Sequence, residues 1–468
     1  MRMWIACGAA LCLLQLVACG SSNTNAPVDA DAVVADVPAD DVPVGDDGMQ
    51  GDAPTDDVPV ADVPVTTDVV SPPDGFEWEA SPTPNCVDGA CAAGPDSAPD
   101  PMAWGPFPVG VRRVVFVDPN QSNFDGTPRT LVTEIWYPTT KEFYDSHPTF
   151  VYDIKADAAM TPGYEALAGM IGDVDVGSFP VDAVKDAPVR HGDGRYPLVM
   201  FSHGAFGIRY QSIFYTIQLA SHGYVVVAPD HEKNSLYDLL KNGYQSDHMG
   251  ESAEARPKDI LFLMDQMIGW DQDSTNEFYK TIEADNVGIT GHSFGGYTCF
   301  ATAFHPDSTG WVDFDPRVKA IVPHAPAGYL IGATGAYGPD WHLPTTIMGG
   351  ELDNTLEFKQ AFKDPWDTLG TPKWFLDIKR GGHFTFSDLC RLNLLEVADK
   401  LGYEDAKAAL TDGCGVDNWD YKQAAAAINL YSIATFNRYL RHSPASAQFM
   451  TQEAGAVFGS EIEFLSAE

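Results

Sequence analysis

Positive charge is scarce in this chain. Its 468 residues carry 28 Lys and Arg against 66 Asp and Glu, a formal net charge of −38. Such a polyanion is repelled by phosphate backbones and anionic lipid surfaces, so nucleic acid is not an expected partner. No CxxC pair and no His-rich cluster with ligand spacing occurs, and no metal is expected. A long apolar run is missing too. The opening MRMWIACGAALCLLQLVACG is too short for a comfortable membrane span; its charged start and apolar middle suit a secretory signal. Between Ser21 and Asp74 there is neither Lys, Arg nor any aromatic residue. A segment of that kind cannot bury enough apolar surface to offset its ordering entropy, so it is expected to stay extended and disordered.

What the N-terminal part does contain is Leu16-Val17-Ala18-Cys19, followed by Gly20. These residues resemble the bacterial lipobox. The resemblance implies that residues 1–18 are a lipoprotein signal peptide and that Cys19 is the lipidation site. Several lipid chains, at roughly 0.8 kcal/mol per buried CH₂, hold a protein on a membrane. Gly20, in place of an aspartate, carries no inner-membrane retention signal. An outer-membrane lipoprotein, on its periplasmic or its cell-surface face, is therefore expected. Residues 19–100 follow as a disordered Asp/Pro/Val-rich linker with the imperfect repeats DVPADDVPV, DAPTDDVPV and ADVPV.

Beyond the signal and Cys19, the cysteines are Cys86, Cys91, Cys299, Cys390 and Cys414. In an oxidising compartment NCVDGAC can close a small disulfide loop through Cys86 and Cys91. Cys390 and Cys414 can close a longer one, worth about 3 kcal/mol on the chain-entropy model. Cys299, in an expected buried helix, reads as a free, inert thiol.

Residues 101–468 have a globular pattern. The runs VRRVVFV, LVTEIWYP, PLVMFSHG, GYVVVAPD, NVGITG, VKAIVPHA, TTIMGGE and KWFLDIK are apolar and β-branched. They suit strands buried on both faces of a mostly parallel sheet. IFYTIQLASHG, RPKDILFLMDQMIGW, the stretch from FGGYTCFATAFH and residues 421–441 read as helices between and after them. Alternating β and α predicts an α/β domain with helices on both faces. Residues 139–190, 231–255 and 384–420 are too long for ordinary connections; they either decorate the surface or shape a pocket.

The chemistry is concentrated in NVGITGHSFGG. A strand, then Gly291-His-Ser293-Phe294-Gly295, then a helix is the context of a nucleophile elbow. There Ser293 is lifted above the sheet end, and the Phe294 N–H lies at a helix N-terminus where negative charge is favoured. A serine hydroxyl needs a base within hydrogen-bond reach, and in this architecture the order along the chain is Ser, acid, His. Of the later histidines, His305, His324, His342, His383 and His442, only His383 lies in a loop directly after a late strand, in KWFLDIKRGGHF. Asp353, in TTIMGGELDN, is the expected acid and Glu351 its rival; Asp313, Asp315 and Asp377 are weaker choices. The second oxyanion donor is expected from the loop after PLVMFSHG, at the Ala205 N–H, with His203 shaping that loop.

FSHG, GHSFGG and LASHGYVVVAPDH, with GGELD and GGHF, resemble an α/β-hydrolase from about Val109 to Leu440. They are similar to bacterial proteins related to platelet-activating-factor acetylhydrolase and to cutinase-like and dienelactone-hydrolase-like enzymes. The resemblance implies the α/β-hydrolase fold and a serine carboxylesterase with catalytic Ser293, Asp353 and His383. It implies an oxyanion hole at Ala205 and Phe294, a monomer, a small-molecule or lipid ester as substrate, and no cofactor. There are departures. Acetylhydrolases carry their acid after the strand that follows the nucleophile helix, where this chain has IVPHAPAG. Cutinase-like polyester hydrolases have an aromatic residue where Ala205 stands. A phospholipid acetylhydrolase, a polyester hydrolase and a peptidase are the rival activities; a non-catalytic surface binding protein on the same fold is the rival of another class.

Overall fold

The computed structural model describes residues 86–123, 125–192, 194–307, 310–332, 338, 341–402 and 410–467. The expected signal peptide, Cys19 and the linker as far as residue 85 lie outside the described residues.

A 10-stranded sheet forms the centre of the molecule. Its strands are β1 (Val109–Ser122), β2 (Pro128–Pro138), β3 (Val184–Lys185), β4 (Tyr196–Ser202) and β5 (Val225–Pro229). They continue with β6 (Ile282–His292), β7 (Val318–His324), β8 (Thr345–Gly350), β9 (Lys373–Ile378) and β10 (Ile462–Ala467). Across the sheet the order is β10-β9-β8-β7-β6-β4-β5-β2-β1-β3. From β5 to β9 every pairing is parallel. β2 runs antiparallel to both β5 and β1, and β10 closes the far edge antiparallel to β9. The continuous apolar runs behave as their composition requires: every residue of β4 and β5 is buried. All strands but β3 and β10 are those the runs predict. β3 has only two residues, and β10 alternates buried Ile462 and Phe464 with exposed Glu463, the signature of an edge rather than a buried strand.

Helices α1 (Ile213–Ser221), α2 (Asp247–Gln272), α3 (Phe294–Ala303) and α4 (Tyr421–Tyr439) cover the sheet, α1 packed with α4 and α2 with α3. α2 starts well before its expected beginning at Arg256, so the insertion 231–255 is partly helix. Pro257 lies inside it. Proline has no N–H for the carbonyl four residues back, and that usually ends a helix. Here the freed Ala253 carbonyl accepts a hydrogen bond from the Tyr297 hydroxyl of α3 at 3.2 Å, which lets the helix continue.

The other insertions are docked by buried polar contacts. In residues 139–190, Asp157 accepts hydrogen bonds from Arg209 Nη2 and the Tyr237 hydroxyl, each at 2.5 Å, and pairs with Arg113. The Asn393 N–H donates to the Val176 carbonyl at 2.9 Å, joining that insertion to residues 384–420. Disulfides close Cys390 to Cys414 and Cys86 to Cys91, while Cys299 is free, buried and pushed up in pKa by that burial. The folded part begins before residue 101. Residues 86–100, grouped with the linker by their composition, form the small disulfide hairpin and bury Ala92 and Ala93; the Ser97 carbonyl accepts from Ser443 Oγ at 2.8 Å. A covalent staple and small apolar residues order a stretch whose composition alone would leave it loose.

Candidate active site

Ser293 occupies the single turn between β6 and α3. Its φ of 59° and ψ of −115° are rare for a residue with a side chain, a strain of about 1–3 kcal/mol. Surrounding bonds hold it there. The Ser293 N–H donates to the His324 carbonyl at 2.9 Å, and the Ser293 carbonyl accepts from Ala327 N–H at 3.0 Å and Tyr297 N–H at 3.1 Å. Gly291 and Gly295 both lie so close to the Ser202 carbonyl of β4 that a Cβ on either would overlap it. The glycines let the turn close onto the neighbouring strand, and the half-buried serine hydroxyl is left at the sheet's C-terminal edge.

From there a hydrogen-bond chain runs through two other loops. Ser293 Oγ is 2.9 Å from His383 Nε2, and His383 Nδ1 is 2.8 Å from Asp353 Oδ2. The other carboxylate oxygen of Asp353 accepts the Thr355 and Leu356 N–H groups at 2.9 and 2.7 Å, which fixes the side chain after β8. With a carboxylate at Nδ1, that nitrogen carries the proton and Nε2 accepts from the serine hydroxyl. Burial alone would lower the His383 pKa, but Asp353 beside it raises it above the ordinary value.

The rival residues are elsewhere. Glu351 is on the surface with Lys379, which also pairs with Asp377, and Asp315 pairs with Arg317. The side chains of Asp313 and His305 lie outside the described residues. His324 is buried near Ser432, its pKa pulled down to about 3 by burial.

Gly204 lies against Ser293; a Cβ on it would come 3.3 Å from Ser293 Cβ. The loop after β4 thus borders the hydroxyl. Among the described residues nothing accepts a hydrogen bond from the Ala205 or the Phe294 N–H. Two unspent donors beside a serine are what a developing oxyanion requires.

Three residues that the sequence reading did not single out complete the surroundings. Asp412, 5% exposed, accepts the His383 N–H at 3.1 Å through Oδ1. Through Oδ2 it accepts the Asn354 N–H at 2.9 Å and the Thr355 hydroxyl at 2.7 Å. One carboxylate therefore ties the loop of Asp353 to the loop of His383. Gln211 and His292 make a second tie. Gln211 Oε1 accepts the Gly204 N–H at 3.1 Å, Gln211 Nε2 donates to His292 Nδ1 at 3.1 Å, and His292 Nε2 donates to the His383 carbonyl at 2.9 Å. The only signal for Asp412 in the sequence is an Asp-Gly turn beside Cys414. Exchanging Asp412 for Asn turns a donor toward backbone donors. It should lower kcat/KM by about 10–100-fold through misplacement of His383. Steady-state kinetics with a melting curve check this; an unchanged kcat/KM in a folded variant removes Asp412 from the arrangement.

Serine, histidine and aspartate meet once more, at Ser202, His231 and Asp259. Ser202 Oγ is 2.9 Å from His231 Nε2, and His231 Nδ1 is 2.7 Å from Asp259 Oδ2. All three are sealed in the interior at 0%, 0% and 1% exposure, behind the loop that carries Ala205. No substrate reaches them.

Residues 96–258 match the family model described as platelet-activating factor acetylhydrolase, isoform II, a stretch that ends before Ser293. The platelet-activating factor acetylhydrolase of Cavia porcellus is 31% identical over 236 residues, 43% of this chain and 51% of that enzyme. The one from Canis lupus familiaris is 25% identical over 236 residues, covering 42% and 50%. Cutinase est1 of Thermobifida alba is 22% identical over 200 residues, covering 40% and 54%. The chain spans about half the length of the curated relatives it matches. Among solved structures, the ferulic acid esterase from Streptomyces cinnamoneus superposes with a TM-score of 0.54 at 22% identity, covering 80% of this chain and 99% of that one. Sheet order, elbow and relatives agree with the resemblance read from the motifs: the chain has the α/β-hydrolase fold, and the proteins it matches are esterases.

Proposed function

We propose that this chain is a serine carboxylic-ester hydrolase that works through an acyl-enzyme, with Ser293 as nucleophile, His383 as base and Asp353 as the acid that orients it. The observation that carries the reading is the hydrogen-bond chain from Asp353 through His383 to a serine hydroxyl on a strained turn. His383 Nε2 takes the hydroxyl proton as Ser293 Oγ bonds to the ester carbonyl carbon. The carbonyl oxygen becomes an anion and accepts the Ala205 and Phe294 N–H groups, each worth roughly 3–4 kcal/mol in the transition state. The carbon–oxygen bond to the alcohol then breaks, and His383 returns the proton to the departing oxygen. Water repeats the sequence on the acyl-enzyme, releasing the carboxylic acid and restoring Ser293.

Short-chain or lipid-derived esters are the substrates the relatives' names support. The match over residues 96–258 favours an acetylhydrolase-like phospholipid esterase as the more specific reading. Against it stands the position of Asp353 after β8, where acetylhydrolases carry the acid one strand earlier. We also propose that lipid on Cys19 anchors the chain at the outer membrane, with the Asp/Pro-rich stretch as a spacer; LVAC followed by Gly20 supports this.

Turnover of p-nitrophenyl esters from acetate to palmitate tests the reading. Activity confined to acetate and butyrate supports a small-acyl esterase and makes acetylated phospholipids the next substrates to try. Rates rising toward palmitate indicate a lipase. No turnover at any length, together with no labelling by a serine-directed phosphonate, would leave the non-catalytic binding protein.

A further inference from the structure

The loop that carries Ala205 is held by a buried cation whose hydrogen-bonding neighbours are neutral groups: four oxygens and, at 3.4 Å, the His203 ring. Arg256, in α2, is 0% exposed. Its Nη1 donates to the His203 carbonyl at 2.5 Å and, more weakly, to Ser202 Oγ at 3.4 Å. Its Nη2 donates to the Gly204 carbonyl at 3.0 Å and to Asn234 Oδ1 at 2.5 Å. No carboxylate shares these bonds, because the nearby Asp259 is occupied by Arg129 through Nε at 3.0 Å and Nη2 at 2.7 Å, and by His231. Burying a charge against neutral groups is a poor way to stabilise a fold. A different use is indicated by what the guanidinium touches.

We propose, resting on the ester-hydrolase reading, that Arg256 is the positioning residue of the oxyanion hole: it locks the peptide between Gly204 and Ala205 and braces Phe294. A trans peptide is planar, with its C=O and N–H pointing in opposite directions. Whatever grips the Gly204 carbonyl therefore aims the Ala205 N–H. That carbonyl accepts from Arg256 Nη2, from His203 Nδ1 at 2.7 Å and from the Gly207 N–H at 3.0 Å. His203 plays this part as a neutral ring, since its Nε2 accepts the His231 N–H at 3.0 Å; burial and then Arg256 hold its pKa far below the ordinary value. The Ala205 N–H is turned away from this cluster and left unspent.

The same guanidinium lies over the Phe294 ring, 4.8 Å from its centre, so one side chain touches both the carbonyl of the peptide that carries the Ala205 N–H and the side chain of Phe294. Burial brings the Arg256 pKa down to about 9, still a cation at neutral pH. A positive charge behind the peptide also polarises it, which strengthens the N–H as a donor. The sealed Asp259, His231 and Ser202 chain backs the arrangement by fixing the β4 end from which the loop departs.

The test uses Arg256→Lys and Asn234→Ala in the full chain, with p-nitrophenyl butyrate as substrate. A trifluoromethyl ketone, which forms a tetrahedral oxyanion on serine, serves as inhibitor. Lysine keeps the charge but lacks the fork that reaches the two carbonyls and Asn234 together. Misaiming one of two donors should lower kcat by about 10–100-fold, somewhat less than deleting it. KM should stay within about threefold, and the inhibition constant of the ketone should rise in step with the fall in kcat. Asn234→Ala removes one anchor of Nη2 and should lower kcat by about fivefold with the same parallel rise. A structural role alone would lower the melting temperature and leave kcat per folded molecule and ketone affinity unchanged; that result overturns the proposal. Should Arg256→Lys fail to fold, Asn234→Ala decides: parental kcat and ketone affinity in that variant overturn it equally. Failure of the hydrolase reading looks different, because Ser293→Ala would then turn over ester as fast as the parent.

Discussion

Alanine at position 293 should abolish ester turnover, a loss on the order of 10⁶ in kcat by analogy with other serine hydrolases. The chain should remain folded. Ser293 is held in its unusual conformation by backbone bonds through its N–H and carbonyl, and the substitution leaves those intact. What disappears is the hydroxyl and its single bond to His383 Nε2, worth about 1 kcal/mol to stability. Activity and melting temperature should therefore separate: turnover falls to background while the melting curve moves by a few degrees at most. Labelling by a fluorophosphonate should vanish with the activity. An alanine variant that still turns over ester would remove the elbow from the chemistry altogether.

Asparagine at position 353 should cost about 10⁴ in kcat, because it reverses the tautomer of His383. The amide can keep one oxygen on the Thr355 and Leu356 N–H groups, so the loop has little reason to move. Its NH₂ then faces His383 Nδ1, which must become the acceptor. The ring proton moves to Nε2, and a protonated Nε2 cannot take the proton of Ser293.

The pH profile gives a second readout. Only neutral His383 can act as base, so the rate falls as pH drops through its pKa. Although burial opposes it, Asp353 raises that pKa, which places the acid limb of the parent above the ordinary imidazole value of about 6.5. In the asparagine variant the carboxylate is gone, burial acts unopposed by it, and the limb should shift to lower pH. Glu351→Gln should change neither rate nor limb, since Glu351 faces outward to Lys379. Should Glu351→Gln cause the loss and Asp353→Asn spare the rate, the acid has been misassigned.

Much of this arrangement could be read along the chain, for reasons that are local. Strands buried on both faces must be nearly all apolar, so β4, β5 and their neighbours stand out as runs. An elbow needs glycine two residues either side of its serine, so GHSFGG after VGIT carries the turn within itself. A loop histidine after a late strand and an acid before it follow from the order in which such a sheet is threaded. These features depend on neighbours within a few residues, and there composition and spacing are informative.

What lay beyond reading depends on contacts between distant parts of the chain. Asp353 and Glu351 sit two residues apart on one turn, and spacing alone could not say which faces His383. The fold decides it, by giving one Asp353 oxygen to two backbone amides and the other to the ring. Asp412 reaches the same loops from an insertion with no pattern of its own, closed by a disulfide. The edge strand β10 alternates buried and exposed residues instead of running apolar, because one of its faces meets solvent. Arg256, one more charged residue near a proline in the sequence, gains its meaning only where α2 crosses behind the loop of Ala205. The amino-acid order by itself determined the strands, the turn and the types and order of the groups proposed to react. Tertiary structure alone decided which carboxylate faces His383 and which buried groups grip the loop of Ala205, because hydrogen bonds between remote loops leave no periodic trace in a sequence.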